Sequence, residues 1–227
     1  MTHLPNFSHC PKKYQARTDT VIDMYRRYFG QSLPSDKQYW TMCSVNNNGN
    51  NIIAHSELGQ ILDSKLIGLH QYYGVDIESD IIEGNRKAEP NTNWICGDFL
   101  DTMKCYYKNN NFNPAIINAD FISMSKKAAV ITSQIMSFIE EIDIKNVLLI
   151  ANVMLTNPHA RGGQFLKSPL NFEKMISEME SQKAFEFAWS NRFWDMHDKV
   201  YCYSGTGSQS RTIMGSYIFY RKGDLQC

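Results

Sequence analysis

The sequence predicts an α/β fold, with a mostly parallel sheet covered by helices on both faces and an antiparallel hairpin at one side. Three observations predict it. From residue 38 to residue 180, short apolar runs alternate with stretches whose apolar residues recur at helical spacing. The run at residues 146–153 (NVLLIANV) is nearly continuous, the pattern of a strand buried on both faces. Beyond residue 180 strand-like segments take over, with Gly205, Gly207 and Ser208 between the last two. That is a hairpin signal, not a crossover.

Composition sets the bounds. A chain of 227 residues with 43% hydrophobic and 12% aromatic residues can bury an ordinary core without disulfides or metals, which excludes disorder as its main state. Lys and Arg (23) balance Asp and Glu (23), which argues against coating nucleic acid by bulk charge. Both ends are mildly basic, through Lys12, Lys13, Arg17, Arg26 and Arg27 at one and Arg192, Lys199, Arg211, Arg221 and Lys222 at the other. The longest apolar run, residues 147–153, is broken by Asn152 and falls short of a membrane span. The opening residues predict no secretory leader. Six scattered cysteines without C-x-x-C spacing predict free thiols in the cytoplasm and no metal site.

The elements follow in order. Residues 1–36 read as a helical extension and residues 37–227 as the main domain. In the extension, Thr18-Asp19-Thr20 can cap a helix whose apolar face is Val21, Ile22, Met24, Tyr25, Tyr28 and Phe29, ended by Gly30 and Pro34. In the main domain, residues 39–45 (YWTMCSV) predict a strand and residues 56–66 a helix capped by Ser56. Residues 71–77 (QYYGVDI) predict a strand, 79–88 a helix, 93–96 a short strand and 101–107 a helical turn. Residues 115–118 (AIIN) predict a buried strand. Residues 126–142 predict a long helix, with Val130, Ile131, Gln134, Ile135, Phe138 and Ile139 at i, i+3, i+4 spacing. The strand at 146–153 and a helix at 172–180 follow, then strands at 185–189, 199–203 and 212–221.

In such sheets ligands bind beyond the carboxyl ends of the strands, near the point where strand order reverses. The second strand ends in Gly74-Val75-Asp76-Ile77, placing a carboxylate where it can accept hydrogen bonds from both hydroxyls of a ribose. The third ends in Cys96-Gly97-Asp98-Phe99, 22 residues on, where Asp98 can accept from an adenine amino group and Phe99 can border the ring. The alternative is that both acids cap the helices that follow them.

With these turns, Asn118-Ala119-Asp120-Phe121 at the fourth strand and the terminal hairpin, the chain resembles the class I S-adenosylmethionine-dependent methyltransferases over residues 39–222. The resemblance implies a Rossmann-like three-layer sandwich with a seven-stranded sheet of order 3-2-1-4-5-7-6. It implies S-adenosyl-L-methionine as cofactor, with Asp76 on its ribose beside Gly74 and Ile77, and Asp98 near its adenine beside Gly97 and Phe99. The first strand departs from the family pattern. It runs through Ser44 into Asn46-Asn47-Asn48-Gly49-Asn50-Asn51, where the family has a G-x-G-type turn. Either Ser44, Asn46 and Gly49 still line the cofactor, or the chain is a non-catalytic binding or assembly protein that keeps the fold.

The stretch Asn118-Ala119-Asp120-Phe121 resembles the [DNS]-P-P-[YFW] motif of enzymes that methylate adenine or cytosine amines. There the polar residue takes hydrogen bonds from the amine and the aromatic ring stacks on a flipped base. Asn118, Asp120 and Phe121 are thus the expected catalytic residues, with Asp120 as proton acceptor or anchor, and a nucleobase amine of DNA or RNA is the implied acceptor. The alternative is an ordinary strand end with Asp120 capping a turn. After the fifth strand, His159 and Arg161 beside Gly162-Gly163 can hold an anionic substrate.

Overall fold

The computed structural model describes residues 11–43, 56–154, 193–204 and 213–223. The predicted helix at 172–180 and strand at 185–189 lie outside them. The chain enters as a continuous helical rod built from α1 (Pro11–Arg17), a π turn (Thr18–Ile22) and α2 (Asp23–Tyr28). The remaining helices are α3 (Glu57–Asp63), α4 (Ser79–Ala88), α5 (Phe99–Lys108) and α6 (Ser125–Glu141). The strands are β1 (Gln38–Met42), β2 (Tyr72–Asp76), β3 (Asn93–Cys96), β4 (Pro114–Met124), β5 (Val147–Met154), β6 (Asp195–Met196), β7 (Tyr201–Ser204) and β8 (Ile213–Arg221).

The strands form one sheet in the order β3-β2-β1-β4-β5-β8-β6, with β7 also paired to β8. β1 through β5 run parallel, and β8 lies antiparallel to β5. β6 and β7 both pair antiparallel with β8, Met196 facing Phe219 and Tyr201 facing Ser216. They are one edge strand interrupted at residues 197–200. The expected order 3-2-1-4-5-7-6 is therefore present, with its edge strand in two pieces.

Side chains alternate across the strands and build a core on each face. Trp40, Tyr73, Ile117, Leu149, Tyr217 and Phe219 pack with Phe99 and Met103 of α5 and with Ala128, Ile135 and Ile139 of α6. Tyr39, Tyr72, Ile116, Leu148, Ile150 and Ile218 pack on the other face with Leu58 and Ile61 of α3, Ile82 of α4, and Val21, Ile22, Met24 and Tyr25 of the amino-terminal rod. The rod is thus one of the layers, where the sequence suggested an added extension.

Two local devices position the site. Ser56 caps α3, its hydroxyl accepting from the Gly59 N–H at 3.0 Å, and so fixes Glu57 in the first turn. The rod tolerates threonines because they turn back on it: the Thr18 and Thr20 hydroxyls donate to the Tyr14 and Ala16 carbonyls at 3.3 and 2.7 Å. The π turn, with the Asp23 N–H reaching the Thr18 carbonyl, lets the helix run on where the sequence suggested that it begins.

Candidate functional site

Two groups of residues meet at the carboxyl ends of the parallel strands, on either side of the reversal between β1 and β4. The first belongs to β2 and β3. Asp76 and Cys96 are register partners, and the Gly97 N–H donates to the Asp76 carbonyl at 2.9 Å, so the turns bearing Asp76 and Asp98 lie side by side. Asp76 accepts the Glu78 N–H on Oδ1 at 2.9 Å. Burial raises its carboxyl above the ordinary value, opposed by the N–H groups of Glu78 and Ile77 and helped by the Glu78 charge. Ile77 presents an apolar side chain that is 73% exposed at this strand end. Asp98 caps α5, Oδ1 accepting the N–H groups of Leu100 and Asp101 at 3.0 Å. Among the described residues, Oδ2 takes no hydrogen bond.

Three expected neighbours have other work. A Cβ on Gly74 would lie 2.5 Å from the Trp94 ring, so this glycine makes room for an aromatic side chain of the next strand. A Cβ on Gly97 would meet the Thr102 hydroxyl at 2.8 Å. Phe99 is only 5% exposed and belongs to the α5–α6 core, so its ring borders no open site. Cys43, just past β1, is buried, and burial followed by the charges of Asp76 and Glu57 pushes its thiol well up, which makes it a poor nucleophile.

The second group lies on β4, β5 and β8 beneath the rod. Asn118, Asp120, Asn152 and Ser216 share the face that α3 and the rod cover. Ser216 donates to Asn152 Oδ1, Asn152 Nδ2 donates to Asn118 Oδ1 at 2.8 Å, and Asn118 Nδ2 donates to Glu57 Oε1 at 3.2 Å. The Tyr39 hydroxyl donates to the same Glu57 oxygen at 2.8 Å. Burial, then Glu57, raises the Tyr39 phenol well above its ordinary value and keeps it a donor. Arg17 Nε stands 3.4 Å from Glu57 Oε2, and Lys13 Nζ donates to Asp120 Oδ2 at 2.8 Å. Gln60 ties the rod to α3 by donating to the Tyr14 carbonyl and the Thr18 hydroxyl.

Asn118 is 1% exposed, and both ends of its amide are engaged in this chain of bonds. Phe121 points to the opposite face, 4% exposed in the α5–α6 core, so the structure does not bring it together with Asn118. Ser44, Asn46, Gly49, His159 and Arg161 lie outside the described residues. Sequence reasoning missed Lys13, Arg17, Tyr39, Glu57, Asn152 and Ser216. A helical face through residues 13, 16, 17, 20, 21 and 24 was present as a signal, and it carries two cations beside Ala16, Thr20, Val21 and Met24.

Among the described residues, no group of three or more His, Cys, Asp or Glu could hold a metal ion. No helix among them is long and apolar enough to cross a membrane. No family model matches the chain, and no curated protein matches it. Among solved structures it is similar to Aeropyrum pernix fibrillarin in complex with natively bound S-adenosyl-L-methionine, at 10% identity over 90% of this chain and 76% of that one, with a TM-score of 0.48. It is also similar to a TehB-like S-adenosylmethionine-dependent methyltransferase from Corynebacterium glutamicum, at 11% identity over 93% and 95% of the two chains, with a TM-score of 0.43. At such identities the chemistry has to be argued from this chain's own residues.

Proposed function

We propose that the chain is an S-adenosyl-L-methionine-dependent methyltransferase whose adenosine subsite is formed by the ends of β2 and β3. The observation that supports this is the juxtaposition of Asp76, exposed Ile77 and Asp98 beside the reversal of strand order. The set fits a nucleoside. A carboxylate at the end of β2 suits two ribose hydroxyls, an exposed apolar side chain suits a ring plane, and Asp98 Oδ2 suits an exocyclic amine.

When bound, the cofactor supplies a methyl group activated by its sulfonium charge. The protein's part is then to hold the nucleoside through Asp76 and Asp98 and to place an acceptor near the end of β4. Asp120, part-buried there, can anchor an amine or take its proton. A nucleobase amine remains the acceptor suggested by the Asn118–Phe121 stretch. The Phe121 ring, buried on the far face, offers it no stacking surface.

One observation favours the non-catalytic reading, the closure of Asn118 inside the Ser216–Asn152–Asn118–Glu57 chain beneath the rod. Hydrogen exchange with and without S-adenosylhomocysteine separates the two. Ligand-dependent protection at residues 74–78 and 96–101 supports the enzyme, and unchanged exchange at saturating ligand supports the non-catalytic protein.

A further inference from the structure

An amine already stands where a methyl acceptor is expected. Lys13 Nζ donates to Asp120 Oδ2 at 2.8 Å, and the two side chains are 12% and 19% exposed. The rod fixes it there. One turn on, Arg17 faces Glu57, and Gln60 of α3 donates to the Tyr14 carbonyl and the Thr18 hydroxyl at 2.7 and 2.9 Å. The cleft around the pair has room for little more than a water molecule, so no separate acceptor fits beside Asp120 while the rod is docked. Among the described residues lining that cleft, Lys13 is the one amine. The other nitrogens belong to the amides of Asn118 and Asn152 and the guanidinium of Arg17, which are poor nucleophiles.

Strand register relates this amine to the adenosine subsite. Met42 of β1 pairs with Val75, and Thr41 pairs with Asn118. One step further along, Cys43 is level with Asp76 on one side and Asp120 on the other. Alternation puts all three on the face that α3 and the rod cover, the face on which Cys43 is buried. Asp76 and Asp120 are thus two strand spacings apart, about 10 Å. A nucleoside held at Asp76 with its 5′ arm directed across β1 brings that arm to Lys13.

We propose that Lys13 is a methylation site that the chain modifies in cis, an inference that rests on the methyltransferase function proposed above. Lys13 passes a proton through Asp120 Oδ2 to water. Its Nζ lone pair then bonds to the sulfonium methyl carbon of S-adenosylmethionine as the carbon–sulfur bond breaks, and the electron pair of that bond stays on sulfur. The products are a methylammonium at Lys13 and neutral S-adenosylhomocysteine, so the positive charge moves from sulfur to nitrogen. A rigidly held amine gains the advantage of an intramolecular reaction. The product nitrogen keeps two N–H donors, so Asp120 retains its partner and the rod stays docked.

The full chain is incubated with S-adenosylmethionine carrying a deuterated methyl group, at several protein concentrations, and mapped by peptide mass spectrometry. Methyl should be found on Lys13, with label arriving at a first-order rate independent of protein concentration. Lys13→Arg, which keeps a cation on Asp120, should take no label at that position. A second measurement needs no cofactor. Lys13 should react with an amine-directed acylating reagent about tenfold more slowly than exposed Lys104 and Lys127, because a charge-assisted hydrogen bond has to break first. Acylation as fast as theirs means that the rod does not hold the amine at Asp120, and overturns the proposal. A labelling rate proportional to protein concentration overturns it as well, since the methyl then arrives from another copy. Lys13 free of methyl before and after incubation, in protein that binds S-adenosylhomocysteine by calorimetry, overturns it and leaves the adenosine subsite standing. No methyl and no S-adenosylhomocysteine binding overturn the methyltransferase reading with it. Should Lys13→Arg fail to fold, the wild-type map and the acylation rates still decide.

Discussion

Replacing Glu57 with Gln isolates the charge at the centre of the polar chain. The amide oxygen still accepts from Tyr39 and Asn118, whereas Arg17 loses its counter-charge in a setting where the two side chains are 7% and 12% exposed. Removing one partner of a buried pair costs about 3–5 kcal/mol, because the survivor is left charged and dry. The 3.4 Å separation is longer than the roughly 2.7–2.9 Å of a tight charge-assisted bond, which puts the expectation at the lower end, about 3 kcal/mol. In a domain of this size that lowers the melting temperature by roughly 6–12 °C. The double variant Arg17→Met with Glu57→Gln removes both charges and should recover to within about 1 kcal/mol of wild type. Urea and thermal unfolding of the three proteins measure this. A Glu57→Gln protein that melts within about 2 °C of wild type, or a double variant less stable than the single one, refutes the buried-pair reasoning.

Other outcomes follow from the same geometry. Gly74→Ala drives a methyl group into the Trp94 ring and should cost about 1–3 kcal/mol in urea unfolding. In a Trp94→Leu background the same change should cost clearly less, and equal costs would mean that the ring is not what excludes the side chain. His197 is buried between the rod and the edge strand, with Nδ1 2.9 Å from the Tyr28 hydroxyl and its ring stacked on Tyr201. Burial lowers its pKa, opposed by Asp198 and helped by Arg27 and Lys199. The unfolded chain thus binds the proton more readily, so this stability is complete above the free histidine value near 6.5 and declines as pH falls through the lowered one. Melts between pH 5 and pH 8 should show that slope, reduced in His197→Phe. Asp76 accepts from both ribose hydroxyls most strongly when ionised, and burial raises its carboxyl above the ordinary value. Affinity for S-adenosylhomocysteine should therefore fall on acidification at a pH higher than that of an ordinary aspartate, with the slope abolished in Asp76→Asn.

Where local pattern decides structure, the sequence was legible. α4 and β3 have the predicted bounds, and Ser56 caps α3 as read, because caps and alternation are properties of a few adjacent residues. β4 was read as ending at Asn118 but runs to Met124. Asn118 and Asp120 look like a strand's polar exit until Glu57 and Lys13 are known to meet them, and Lys13 lies 107 positions away. The amino-terminal helix was read from Thr18 because three capping residues stand together there, and only the bonds back to Tyr14 and Ala16 show how they fit inside a helix. Of the expected site, Asp76, Ile77 and Asp98 meet at one edge. Phe121 does not join Asn118, because it enters the core on the face opposite Asn118, just where the pairing of β4 with β5 shifts register after Asp120.

Calorimetric titration of wild type and Asp76→Ala with S-adenosylhomocysteine tests the central claim most directly. Wild type should bind saturably at micromolar ligand. Loss of a charge-assisted hydrogen bond worth about 1.5–3 kcal/mol should weaken Asp76→Ala by roughly ten- to a hundredfold, with the unliganded melting temperature essentially unchanged. Unaltered affinity in a folded Asp76→Ala protein, or no binding by wild type at millimolar ligand, would contradict an adenosine subsite at the ends of β2 and β3.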